Sequence, residues 1–197
     1  MSPRTTEKFE EIRGEKKQLI MQVALELFAN EGYHTTSISQ IAKKAGISKG
    51  LMYNYFDSKE DLLKAIIFHG INSLMQSFDS NHDGVLTREE LIHFIKQTFK
   101  TLKKHLVYYR LYFSLMVQAP VLKLFEKELW VMFDPLMKML YKYFEREGYE
   151  DPQAELYFFQ SMLDGVGMTY VSDPNHYPID AVENKIISMY SKKSKES

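Results

Sequence analysis

Residues 35–62 read TTSISQIAKKAGISKGLMYNYFDSKEDL, and the order of caps, glycine and apolar residues in this stretch decides the fold. Ile38, Ile41, Ala42 and Ala45 recur at helical spacing, so a short helix has one close-packed apolar face. Ser37, followed three positions on by Gln40, has the capping-box spacing that starts such a helix. Gly46 ends it, because glycine tolerates the left-handed conformation of a helix C-cap, and Ile47 drops back onto the apolar face. Ser48 then opens a second helix by offering its hydroxyl to the free backbone N–H groups of the next turn. Two short helices joined by a glycine-containing turn form a helix-turn-helix, whose second helix lies in a DNA major groove.

Lys49, Gly50, Leu51, Tyr53, Asn54 and Tyr55 give the second helix an aromatic, amide and basic surface, with no acidic residue before Asp57. An ordinary helical hairpin is the alternative. Such a hairpin has no use for two tyrosines, an asparagine and a lysine on so short a helix, whereas phosphate and base-edge contacts use these side chains.

Ser37-Ile38, Ile41-Ala42, the run Ala45 to Gly50, Tyr53, Tyr55-Phe56 and Ser58-Lys59-Glu60 with Leu62 together resemble, position by position, the N-terminal domain of the tetracycline-repressor (TetR) family. The resemblance starts earlier, at Ile20-Met21, Ala24 to Phe28 and Gly32-Tyr33, which look like that family's first helix; it spans about Lys17 to Leu63. It implies an all-α chain with an N-terminal three-helix helix-turn-helix domain and a C-terminal helical domain for ligand binding and dimerisation. It further implies that Lys49, Gly50, Leu51 and Tyr53 face base edges while Thr36, Ser37, Ser48, Asn54, Tyr55 and Lys59 complete the DNA-binding set, several of them on phosphates. Leu51 departs from the family, where many relatives carry a small polar residue. An apolar side chain there touches a thymine methyl but donates no hydrogen bond.

Around this motif, 197 residues with 45% hydrophobic content suffice for one large or two small domains with a packed core. With 25 basic and 26 acidic residues the net charge is −1, so attraction to DNA must be local. The absence of cysteine excludes disulfides and thiolate metal sites and agrees with a reducing compartment. No signal-peptide pattern or membrane-length apolar run appears, so the expected location is the cytoplasm, with no membrane partner. The six histidines are scattered, and no phosphate-cradling glycine loop, nucleophile elbow or His/Glu zinc signature is present; the expectation is not an enzyme and no required cofactor.

The expected domains are 1–60 for DNA binding, with 1–14 as a flexible arm whose Arg4, Lys8 and Arg13 either reach phosphates or are merely solvated, 61–190 for ligand and dimer, and a disordered tail at 191–197. The first helix is expected near Gly14 to Asn30. A further helix over Lys59 to Phe78 carries Leu62, Leu63, Ile66, Ile67 and Leu74, and in the family it links the two domains. The next runs from Thr87 to about Leu106 with Leu91, Phe94, Ile95, Phe99 and Leu102 as its stripe. An aromatic and methionine-rich run from Leu106 ends at Pro120. Between Val121 and Glu147, Pro135 must kink or break the helix; Asp134-Pro135 also reads as N-cap and N1, which would make two helices, so one bent helix and two helices are both open. Asp151-Pro152 repeats the signal and opens a helix to about Val171, and a last helix covers Ile179 to Met189.

In the C-terminal half Tyr109, Tyr112, Phe113, Met116, Trp130, Phe133, Phe158, Phe159 and Met162 either line a pocket for an apolar or aromatic ligand or fill the core. The resemblance implies a small-molecule inducer. Gly165 and Gly167 each cost about 1 kcal/mol in a helix, which close approach of another helix would explain. In the family the last two helices form a four-helix dimer interface, which implies a homodimer with Leu156, Phe159, Leu163, Gly165, Val166, Gly167, Tyr170, Ile186 and Met189 near it. A dimer also suits double-stranded operator DNA, where recognition helices about 34–36 Å apart enter successive major grooves.

One stretch departs from the resemblance. DSNHDGVLTREE, residues 79–90, has the spacing of an EF-hand calcium loop: Asp79, Asn81 and Asp83 at positions 1, 3 and 5, Gly84 at the sharp turn, the Val85 carbonyl at 7, Thr87 at 9 and Glu90 at 12. The alternative is a polar helix-helix turn capped by Asp and Asn. Ca2+ is thus an expected ligand of weak affinity. A calcium-responsive DNA-binding protein is the second functional expectation beside an inducer-released repressor.

Overall fold

The computed structural model describes residues 3–75, 78, 83–116, 118, 121 and 123–191, with backbone alone for 3–7 and 73–75. Among the described residues there are nine helices and no strand. In chain order they are α1 (Pro3–Glu31), α2 (Ile38–Lys44), α3 (Lys49–Met52), α4 (Lys59–Met75), α5 (Arg88–Lys104), α6 (Leu106–Met116), α7 (Glu126–Glu147), α8 (Pro152–Ser172) and α9 (Ile179–Ser191). None is long and apolar enough to cross a membrane among the described residues. The chain divides into two compact units, Met1–Gly70 and Ile71–Ser197, so the division falls later than 60/61.

In the first unit α1 packs on α2 and α2 on α3. Ile20, Ala24, Phe28, Ile41, Met52, Leu62 and Leu63 are fully buried there, and Phe28 meets the Tyr33 ring edge-on at 5.2 Å. Residues 1–14 are not a flexible arm where the structure describes them. The helix starts at Pro3 and runs unbroken through Gly14, although Lys8 to Glu15 are exposed. Adding turns to an existing helix costs little beside nucleating one, and proline suits the first helical turn.

In the second unit α7 packs on α8, α9 on α5, and α6 on both α8 and α5. Its core centres on Phe144, whose ring lies 5.2 Å from Tyr149, 6.0 Å from Phe159 and 6.1 Å from Tyr190. Burying a side chain of this size contributes about 1.5–3 kcal/mol. Polar ties close the edges. Arg88 pairs with Glu147, Arg146 donates to the Leu86 carbonyl, and Lys103 reaches Asp180 at 2.8 Å and Glu183 at 3.0 Å.

Of the two alternatives at Asp134-Pro135 the single helix is present: α7 continues through Pro135, and the Asp134 carboxylate pairs with Lys138. The proline deprives the Val131 carbonyl of its helix donor, and Val131 is exposed, so the loss falls on the solvent side of the helix. Asp151 does open α8, its side chain accepting from Ala154 N at 2.9 Å with Pro152 at N1. Leu74's side chain and the tail at 192–197 lie outside the described residues.

Candidate nucleic-acid interface

The reading pair is built by its caps. Ser37 Oγ accepts from Gln40 N at 3.2 Å while Gln40 Oε1 accepts from Ser37 N at 2.7 Å, a complete capping box. At the other end Gly46 takes φ +66, and Ile47 N donates to the Ala42 carbonyl at 3.0 Å, which closes the turn. Ser48 Oγ accepts from Leu51 N at 3.1 Å and starts α3. Each such cap stabilises its helix by about 1 kcal/mol. Ile41, Ala42, Ala45, Met52 and Phe56 face inward and fix the two helices against each other.

α3 is shorter than the sequence suggests. After Met52 the chain continues in single turns, with Asn54 N donating to Leu51 O at 3.1 Å and Phe56 N to Met52 O at 3.2 Å. Lys49, Gly50, Leu51, Tyr53 and Asn54 are nonetheless together on the surface, and Tyr55 is half-buried. Leu51 is 39% and Tyr53 48% exposed, so two apolar side chains face solvent within three residues. Gly50 sits in an ordinary helical conformation, and a Cβ there would meet nothing closer than Ser48 Oγ at 4.0 Å. No internal contact requires a residue that costs about 1 kcal/mol in a helix interior. From Gly32 to Phe56 the sequence has three lysines and no Asp or Glu, so the local charge is positive in a chain of net charge −1. Lys43 is exposed in the last turn of α2, while Lys44 beside it pairs with Glu26 at 3.4 Å; neither lysine is among the residues that the sequence singles out.

Two expected DNA contacts are corrected. Thr36 is 1% exposed, and its hydroxyl donates to the Gly32 carbonyl at 2.8 Å and weakly to Leu27 O. Lys59 turns inward: Nζ donates to the carbonyls of Tyr33 at 2.9 Å and Thr36 at 3.0 Å and lies 4.5 Å above the Tyr33 ring. Its charge holds the turn before α2. Glu60 completes this clasp by accepting from the Tyr33 hydroxyl at 3.2 Å. Its carboxyl is held below the usual range by backbone and side-chain hydrogen bonds, and burial with the neighbouring carboxylate pushes the Tyr33 hydroxyl up. Of the expected set, Ser37 and Ser48 stay on the surface with their oxygens used as caps.

The expected pocket residues divide. Tyr109, Phe113 and Phe159 are buried in the core of Ile71–Ser197, and Tyr112, Met116, Phe133 and Met162 are half-buried against it. Trp130, 67% exposed, and Phe158, 51% exposed, do not line an interior: helical spacing places a residue on a face without saying which way the face turns. The expected dimer residues divide likewise. Leu156, Phe159, Tyr170 and Ile186 are core, Leu163 and Val166 half-buried, and Met189 outward. Gly167 is buried, and a Cβ there would stand 2.5 Å from Phe113 Cζ, so its close approach is to α6 of the same chain; Gly165 opens onto free space.

In residues 79–90, Asp79 and Asn81 lie outside the described residues. Asp83 Oδ1 accepts from Val85 N at 2.8 Å, Gly84 takes φ +73, and Glu90 Oε2 accepts from Thr87 N at 2.9 Å in a second capping box. Among the described residues no three His, Asp or Glu side chains gather as a metal site.

Residues 20–66 match the family model of bacterial regulatory proteins, tetR family. The HTH-type transcriptional regulator YuxN of Bacillus subtilis is 53% identical over 53 residues, 27% of this chain and 18% of that protein. The fatty acid metabolism regulator protein of the same organism is 31% identical over 88 residues, 44% of this chain and 45% of that protein. The matched part spans less than half the length of either relative. A TetR-like transcriptional regulator from Rhodococcus has the same fold, with a TM-score of 0.71 and 21% identity over 89% of this chain and 93% of that one. Fold and N-terminal sequence therefore agree on a TetR-type helix-turn-helix followed by a helical C-terminal domain.

Proposed function

We propose that this protein is a cytoplasmic, homodimeric transcriptional regulator that represses by binding operator DNA and leaves it when a small molecule occupies Ile71–Ser197. The observation that carries the reading is the exposed Lys49, Gly50, Leu51, Tyr53 and Asn54 surface on a doubly capped helix pair, with a glycine that no internal contact requires. Dimerisation is supported by an outward apolar stripe on α8, Tyr157, Phe158, Gly165 and Met168, with Met189 on α9. Ligand binding is supported by the half-buried Tyr112, Met116, Phe133 and Met162 beside the C-terminal core. A ligand releases DNA only by preferring the state that DNA does not, and moving the equilibrium from 1:99 to 99:1 takes about 5.5 kcal/mol of differential affinity.

The test is anisotropy on an operator selected from random DNA, at matched salt. Lys49→Ala and Tyr53→Ala abolish specific binding with an unchanged melting temperature. Parent-like binding by both variants overturns the assignment. A second reading, calcium at 79–90 as the signal, is supported by the ligand spacing and by Gly84 at the expected sharp turn. It predicts that millimolar calcium shifts operator affinity in the native protein but not in Glu90→Gln; an unchanged affinity and melting temperature leave the segment a turn.

A further inference from the structure

The outward side of α3 is centred on a residue that has no side chain. Successive residues of a helix are turned by about 100°, and Tyr53 keeps helical angles, φ −70 and ψ −10, so the directions of Lys49 to Tyr53 follow from their order. Met52 is fully buried and marks the inward direction. Gly50, two positions earlier, stands nearly opposite to it, in the middle of the exposed face. Leu51 flanks Gly50 on one side, 39% exposed, and Tyr53 on the other, 48% exposed. Beyond its chain neighbours, a Cβ on Gly50 would have only Ser48 Oγ near it, at 4.0 Å, so the place between the two flanks is a shallow open notch. Met52 and Phe56, both buried, hold its walls in place.

Polar side chains close to α3 are engaged elsewhere. Ser48 Oγ accepts from Leu51 N at 3.1 Å, and Lys59 Nζ donates to the carbonyls of Tyr33 and Thr36. The walls of the notch are hydrocarbon, the Leu51 side chain and the Tyr53 ring. Base edges in a major groove show hydrogen-bond donors and acceptors with one apolar exception, the C5-methyl of thymine. A donor or acceptor brought between Leu51 and Tyr53 loses its water without gaining a partner, whereas a methyl loses only apolar exposure. A side chain on residue 50 would take the place of that methyl. We propose that Gly50, Leu51 and Tyr53 form a methyl-reading notch, and that the thymine C5-methyl, not a hydrogen bond, decides the choice of base pair facing Gly50. The proposal rests on the reading of α3 as the DNA-binding helix and names the chemical group that this helix selects.

The experiment leaves the protein intact and alters the DNA. Deoxyuridine lacks the C5-methyl of thymidine and keeps every hydrogen-bonding group. Each thymine of an operator selected from random DNA is replaced by deoxyuridine in turn, and affinity is read by anisotropy at matched salt. At one of these thymines the native protein binds the uracil operator about four-fold more weakly, the worth of one methyl taken out of water. Leu51→Ala, which removes a wall, and Gly50→Ala, which fills the notch, each lose that preference. Both variants melt no lower than the parent, because residues 50 and 51 are exposed. A selected site without thymine, a uracil series without effect at any position, or a preference that persists in either variant overturns the proposal. Its failure differs from failure of the DNA-binding reading. An operator that is lost to Lys49→Ala but indifferent to uracil keeps α3 as the reading helix and removes the notch, whereas failure to select any operator removes both.

Discussion

In Met1–Gly70 the residues proposed for binding DNA are those the fold leaves outside, whereas in Ile71–Ser197 those proposed for binding a small molecule are half-buried against the core. The first unit spends its polar chemistry on local caps, at Ser37, Gln40 and Ser48, and so holds a small surface of Lys49, Leu51, Tyr53 and Asn54 in solvent. The second spends apolar area. Among its described residues six tyrosines, at 108, 109, 112, 143, 149 and 190, are buried enough for their hydroxyls to be pushed up, against Tyr33 in the first unit. Caps act over three residues and burial over a hundred, so the two units respond to different perturbations.

Alkali should separate them most strongly. A phenol whose value is raised on folding contributes stability that is full below the ordinary value near 10 and is lost as pH rises toward the folded value, which for Tyr109 and Tyr149 is about 12. Between pH 10 and 12 the amide resonances around Tyr109, Tyr143, Tyr149 and Tyr190 should lose their native dispersion before those of the first unit. Simultaneous loss would mean that the two units share one transition. Next in size, Phe144→Ala leaves a cavity among Tyr149, Phe159 and Tyr190 and should cost about 3–5 kcal/mol in denaturant titration. A cost below 1 kcal/mol would mean that this core is not where the second unit's stability lies.

Lys59 and Lys49 sharpen the contrast within the first unit. Lys59→Ala removes a charged donor from the carbonyls of Tyr33 and Thr36 and should cost about 2 kcal/mol of stability, with the salt dependence of DNA binding unchanged. Lys49→Ala should do the opposite, leaving stability intact and reducing operator affinity. If the two exchange behaviours, the inward and outward assignments are reversed. The smallest effect expected is that of Ser48→Ala, about 1 kcal/mol from the lost N-cap, read as a lower melting temperature and weaker operator binding together.

What the sequence made legible follows the same division. The turn at Gly46, both serine caps of the reading pair, the Thr87 start of α5 and the Asp151-Pro152 start of α8 all depend on residues within a few positions of each other, and sequence order contains that information. Lys59 looks like a surface polar residue in sequence, but its partners are decided by how α4 meets the turn before α2; Thr36 is buried although its hydroxyl's partner, the Gly32 carbonyl, is only four residues away. Trp130 and Phe158 failed for a related reason, because apolar spacing gives a helix a face but not the direction in which it is turned. The helix through residues 3–14 went unseen because its exposed residues have no apolar period to announce it.

Pro135 divides α7 energetically without dividing it in space. Glu126 to Asp134 is joined to the rest of the helix across a missing rung in the hydrogen-bond ladder, and in that segment Trp130 and Val131 are turned to solvent. Leu136, Leu140, Tyr143 and Phe144 hold the other half in the core. The first two turns therefore form a unit of local opening, able to detach and re-form at a cost well below that of unfolding the protein. Amide protection should step up on passing the proline, so that α7 exchanges as two segments of unequal lifetime while remaining one rod in its resting state.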